Sequence, residues 1–183
     1  MDITRTLTRT ALGLGLVAAA NLAGAAETVI GSARAESCYQ NALSGASNLQ
    51  AIELCTASIE GDALRPRDLA ATYVNRGIIL SRRGRHEAAL EDFTTALEKE
   101  RALVHALINR GNVLVRLKRY EEALVDYDRA VFYSEGRDPL VFFNRSLAYE
   151  NLGRGAEARE DLVRAVQLDP ESSLYRDALA ALE

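Results

Sequence analysis

Between Leu69 and Leu168 apolar residues return every three or four positions, with charged residues between them. Leu103, Leu107, Gly111 and Leu114 form one such row, and Tyr120, Ala123, Leu124, Tyr127, Ala130 and Val131 form the next. This spacing lays an apolar stripe along an α-helix and does not fit the alternation of a β-strand. Only Leu117-Lys118-Arg119 separates the two rows. So short a link makes the two helices run antiparallel and touch.

The pair of rows is itself repeated. Asn75-Arg76-Gly77 returns as Asn109-Arg110-Gly111 and again as Asn144-Arg145-Ser146, at intervals of 34 and 35 residues. Self-similarity at this period predicts a stack of small units, not one core around a cleft. Small residues fall where the paired helices should meet: Gly77 with Ala89, Gly111 with Ala123, Ser146 with Ala158. Phe93, Tyr127 and Leu162, four positions later, would fill the space beside them. Asp138-Pro139 sets a capping side chain before a proline at the first helical position. Asp169-Pro170 is expected to repeat the device, and Arg65-Pro66 to open the first leading helix. The amphipathic stretch 171–183 is expected to close the stack.

These residues resemble the tetratricopeptide repeat family, a 34-residue helix-turn-helix with large, small and aromatic residues at set places. Tyr73, Gly77, Leu80, Gly84, Ala89, Phe93 and Ala96 supply the pattern in the first unit. The second supplies Leu107, Gly111, Leu114, Tyr120, Ala123, Tyr127 and Ala130; the third Phe142, Ser146, Tyr149, Gly153, Ala158, Leu162, Ala165 and Pro170. The units span 70–103, 104–137 and 139–172, with one extra residue near Gly136-Arg137. Arg76, Arg110 and Arg145 stand where the family usually has leucine, and that column is expected to be partly solvated.

The resemblance implies an all-α fold: a right-handed α-solenoid whose first helices line a concave groove for an extended or helical peptide. Carried over position by position, the groove would hold Val74, Asn75, Ile78 and Arg82 in the first unit. His105, Ile108, Asn109, Asn112 and Arg116 follow in the second, and Phe143, Asn144, Leu147 and Asn151 in the third. Asparagine both donates to and accepts from a peptide backbone, so the Asn75, Asn109, Asn144 column suits this role. The groove lysines of the family's carboxylate-clamp variety are missing.

Arg5 and Arg9 precede an apolar run from Ala11 to Ala20, the layout of a secretory signal peptide. Ala33-Arg34-Ala35 is the preferred cleavage signal, giving a leader of 1–35; Gly24-Ala25-Ala26 offers an alternative cut after residue 26. The expected location is the periplasm, with secretion as the alternative, and no membrane insertion after cleavage. The midpoint between the only cysteines, Cys38 and Cys55, falls inside a turn-rich stretch, Ser44 to Asn48. In an exported chain this predicts a disulfide within a degenerate helical hairpin at 36–64; two buried free thiols are the alternative.

Removing residues 1–35 changes the net charge from −4 to −5, since three arginines leave with Asp2 and Glu27. An acidic surface argues against nucleic acid as a partner. No phosphate loop, nucleophile turn or metal-ligand spacing occurs outside the leader, so neither cofactor nor metal is expected. Glu121-Glu122 and Glu160-Asp161 read as solvated outer faces. The chain is therefore expected to be a non-enzymatic module binding a protein or peptide. The alternative is a structural subunit of an envelope assembly or a self-associating scaffold.

Overall fold

The computed structural model describes residues 26–27 and 32–182. The basic residues and apolar run of the leader, within 1–25, lie outside the described residues. Among the described residues there are nine α-helices and no strand. They are α1 (Ala33–Leu43), α2 (Leu49–Gly61), α3 (Pro66–Arg82), α4 (His86–Lys99), α5 (Val104–Arg116), α6 (Tyr120–Tyr133), α7 (Pro139–Asn151), α8 (Gly155–Leu168) and α9 (Ser173–Ala181).

The helices stack as pairs: α1 with α2, α3 with α4, α5 with α6, α7 with α8, and α9 against the last pair. First helices also pack on one another, α1 on α3, α3 on α5 and α5 on α7, while second helices make no comparable contact. The first helices therefore line the inner side of the stack. A single apolar cluster runs from Cys38 to Ala148, as expected when neighbouring units bury each other's faces.

The small-to-large pairing is closer than the sequence implied. A methyl group on Gly77 would come within 2.7 Å of Phe93 Cε1, and one on Gly111 within 2.6 Å of Tyr127 Cε1. The rings lie on the glycines. In the third unit both partners change: Leu162 replaces the ring, and Ser146 fits, its hydroxyl donating to the Phe143 carbonyl at 2.7 Å.

The links within repeats share one geometry. Arg85, Arg119 and Arg154 donate backbone N–H to the carbonyls of Leu80, Leu114 and Tyr149 at 2.9, 2.8 and 2.9 Å. The residue before each is left-handed: Gly84 (φ 81°), Lys118 (φ 60°) and Gly153 (φ 72°). Such helix ends favour glycine, and Lys118 is the exception. Near the extra residue, both Glu135 (φ 54°) and Gly136 (φ 64°) are left-handed.

Helix starts match the sequence at two of three prolines. Pro66 opens α3, and Asp138 caps α7 by accepting from Leu140 N at 2.9 Å. Asp169-Pro170 does not repeat this. Asp169 closes α8, and α9 begins only at Ser173. Proline also suits the position just past a helix end, and that role prevails here.

Cys38 and Cys55 form a disulfide across α1 and α2, with both side chains fully buried. The preceding residues belong to the same hairpin. Ser32 caps α1, accepting from Ala35 N at 3.0 Å, and Ala35 is fully buried. The Ser32 hydroxyl and the Arg34 guanidinium both donate to the Asp62 carboxylate just past α2. These bonds, with one from Ser58, hold Asp62 below the usual aspartate range, the serine hydroxyls acting more strongly than the arginine.

The arginine column is partly exposed, as expected, and it is also tied into ion pairs. Arg76 holds Asp92, Arg110 holds Asp126 and Arg145 holds Asp161, each through two nitrogens at 2.6–2.8 Å. The third nitrogen reaches the preceding pair: Thr56 Oγ1 at 2.9 Å, Thr94 Oγ1 at 3.0 Å and Asp128 Oδ1 at 2.7 Å. Each arginine thus ties its own two helices together and both to the unit before. Thr56 lies on α2, so the disulfide hairpin stacks in register as a further repeat.

Candidate functional site

Of the thirteen expected groove residues, nine are buried: Val74, Asn75, Ile78, Ile108, Asn109, Asn112, Phe143, Asn144 and Leu147. Arg82 and His105 are partly exposed, and Arg116 and Asn151 are exposed. The inner side is therefore not a bare surface. Along α5 every residue in 106–109 and 111–115 is buried, so the helix's exposure is carried by Val104, His105, Arg110 and Arg116.

The third unit's positions divide between roles. Phe143 and Leu147 join Tyr175 of α9 in a separate apolar cluster, the Phe143 and Tyr175 rings 5.5 Å apart. They serve the end of the stack. Asn151 donates to the Leu147 carbonyl of its own helix at 2.7 Å. Arg82 donates to the Ala42 carbonyl of α1, a contact within the stack.

The first two units hold a different arrangement. Asn75 on α3 accepts from the backbone N–H of Glu27 at 2.9 Å, and its Nδ2 donates to the Glu27 carbonyl at 2.9 Å. A side-chain amide can engage N–H and C=O of one residue only where that residue lies outside a helix, as Glu27 does. The Glu27 carboxylate meets His105 Nδ1 on α5 at 3.2 Å. This bond raises the His105 pKa, more than burial lowers it; the charges of Glu27 and Asp138 add to the rise. Ala26 packs against the main apolar cluster.

One turn beyond His105, fully buried Asn109 finds no hydrogen-bond partner for either amide atom among the described residues. Asn112 accepts from the Tyr127 hydroxyl at 2.7 Å, while its Nδ2 is likewise unpartnered. Leaving such groups unpaired costs about 1–3 kcal/mol each. The inner face thus combines one asparagine engaged with main chain and another, in the same repeat position, with unused capacity.

One member of each acidic pair on the second helices is held in an ion pair. Glu122 takes Arg119 Nε at 2.7 Å, and Asp161 takes Arg145. A cleft of about 770 Å³ between α4 and α6 is lined by mixed charges, including Glu87, Glu91, Arg110, Arg119 and Glu122. Among the described residues no group of three or more His, Cys, Asp or Glu is placed to hold a metal ion. No helix among them is long and apolar enough to cross a membrane.

Sequence reasoning missed Glu27, which it assigned to the leader. No repeat pattern reaches that far, so the periodic signal could not have found it.

Family models described as tetratricopeptide repeat match residues 69–105, 104–132 and 139–172. No curated protein matches the chain in sequence. Among solved structures, MamA from Desulfovibrio magneticus (residues 41 to the end) is similar at TM-score 0.68 and 23% identity, over 82% of this chain and 84% of that one. The second such domain of human RPAP3, in complex with an HSP70 peptide, gives 0.61 and 24% identity, over 64% and 98%. YrrB, described as having an unusual peptide-binding site, gives 0.60 and 26%, over 70% and 63%. With three tandem matches covering more than half of its length and the same stacked helix pairs, the chain belongs to the tetratricopeptide repeat family.

Proposed function

We propose that this protein is a non-enzymatic interaction module that takes a non-helical peptide segment on its inner face, outside the cytoplasm. The observation that carries the reading is the Asn75 amide engaging both backbone groups of Glu27. Asn109 and Asn144 occupy the same place in the next two units, so the ladder continues along the stack. An asparagine ladder reads main chain and leaves side chains to be chosen by neighbours such as Ile78 and Ile108. The human RPAP3 domain holds a peptide, and YrrB is described with a peptide-binding site.

The Cys38–Cys55 bridge supports an oxidising compartment, in keeping with the exported leader and a periplasmic location. A structural subunit would call for a broad apolar patch on the outer side. Among the described residues the exposed large apolar ones are Leu43, Leu49, Val125, Phe132 and Tyr133.

The test is affinity capture from envelope extract with the intact protein and with an Asn109→Ala, Asn144→Ala double variant. Loss of specific partners from the variant is expected. Identical partners in equal amounts would refute the inner-face reading.

A further inference from the structure

We propose that the chain carries its own groove occupant: Glu27 fills the first peptide position of the inner face, and an outside peptide must displace it. The inference rests on the peptide-binding reading and deepens it. Three contacts of different kinds converge. The Glu27 backbone forms a reciprocal pair of bonds with Asn75, its carboxylate meets His105, and Ala26 lies against the main apolar cluster. The partners are 48 and 78 residues away in sequence, so this is tertiary docking and not a local turn. It also bridges two units, since Asn75 lies on α3 and His105 on α5.

The geometry separates what the occupant uses from what it leaves. Asn109, one turn beyond His105, is fully buried and engages nothing among the described residues. An incoming peptide that pairs with Asn75, Asn109 and Asn112 would make more bonds than the occupant does. It needs that surplus. Only four residues separate Glu27 from Ser32, the cap of α1, so the occupant is tethered. A short tether gives an effective concentration on the order of millimolar. A free peptide with merely equal contacts, at micromolar concentration, would be excluded. The arrangement sets a threshold: partners that span two units enter, and shorter segments do not.

The acid–base character of the contact sets its pH dependence. Glu27 and Asp138 face His105, and the Glu27 bond raises its pKa. A raised histidine pKa means the attraction is complete below the ordinary histidine value and is lost as pH rises through the raised one. The occupant is held least firmly under alkaline conditions.

Two measurements on the full, oxidised chain test this. The first is the His105 ring titration by NMR, in the unsubstituted chain and in Glu27→Gln. The pKa is expected to be higher in the former; equal values overturn the proposal. The second uses a fluorescent synthetic peptide of residues 24–31, GAAETVIG, as probe. Glu27→Arg, which sets a cation against His105, should bind the probe about tenfold or more tightly than the unsubstituted chain. Measurable and equal binding by both overturns the proposal. If the His105 shift depends on Glu27 but neither chain binds the probe, the resident occupant stands and the wider peptide-binding reading fails. Matching thermal unfolding of all chains establishes that each variant is folded.

Discussion

Arg110 places Nε 2.7 Å and Nη2 2.6 Å from the two carboxylate oxygens of Asp126, sixteen residues on. The Asp126 side chain is 3% exposed and that of Arg110 19%. The same pair recurs as Arg76–Asp92 and Arg145–Asp161. Burial raises the carboxyls of Asp92 and Asp161, and their arginines pull them back down. The column costs desolvation and returns geometry. A planar guanidinium held at two points has its third nitrogen aimed at the preceding unit, which fixes how neighbours stack.

Removing one member should therefore do more harm than removing both. Arg110→Leu leaves buried Asp126 with only a 3.9 Å contact to Arg129, and is expected to cost about 3 kcal/mol. Arg110→Leu with Asp126→Leu should recover most of that loss. Urea unfolding midpoints of the two variants check this; an equal loss in both contradicts it.

Gly111→Ala should destabilise by about 1–3 kcal/mol, because the new methyl would meet Tyr127 Cε1 at 2.6 Å. Adding Tyr127→Leu copies the third unit, where Ser146 stands with Leu162, and should restore part of the loss. Thermal unfolding of the single and double variants decides the point.

Lys118 holds a left-handed conformation where the equivalent turns use Gly84 and Gly153. Lys118→Gly should stabilise by about 1 kcal/mol. A lower unfolding temperature in the variant would contradict this.

The two cleavage sites expected for a leader differ in what they would remove from the fold. A cut after Ala35 would remove the Ser32 cap, the Arg34 contact with Asp62 and the buried Ala35. A cut after Ala26 keeps all three, and Glu27 with them, and of the inner-face contacts removes only Ala26. Intact-mass measurement of the exported protein is expected to show a chain starting at Glu27; a start at Glu36 would contradict this.

The sequence disclosed what its period carries. The paired helices, the glycine-to-ring contacts and the cysteine bridge all follow from positions that recur or mirror one another. The sequence reading shows the arginine column as partly solvated but does not show its carboxylate partners, because each arginine is then weighed alone on its own helix. Asp92, Asp126 and Asp161 recur at the same 34- and 35-residue spacing, just before Phe93, Tyr127 and Leu162, and that co-periodic opposite charge was the available signal. Asp169-Pro170 was misplaced because the same dipeptide can open a helix or follow one. The groove residues were named by repeat position. Position alone could not tell that Phe143 and Leu147 pack on α9, or that Glu27 would lie across Asn75 and His105.

Site-specific photocrosslinking tests the central claim most directly, with a photoreactive residue at Arg116 on the inner row or at Val125 on the outer face of α6. Both positions are exposed, so neither substitution disturbs the core. Adducts with a discrete partner polypeptide from position 116, and none from 125, are the predicted result. Adducts from 125 alone would contradict the inner-face account.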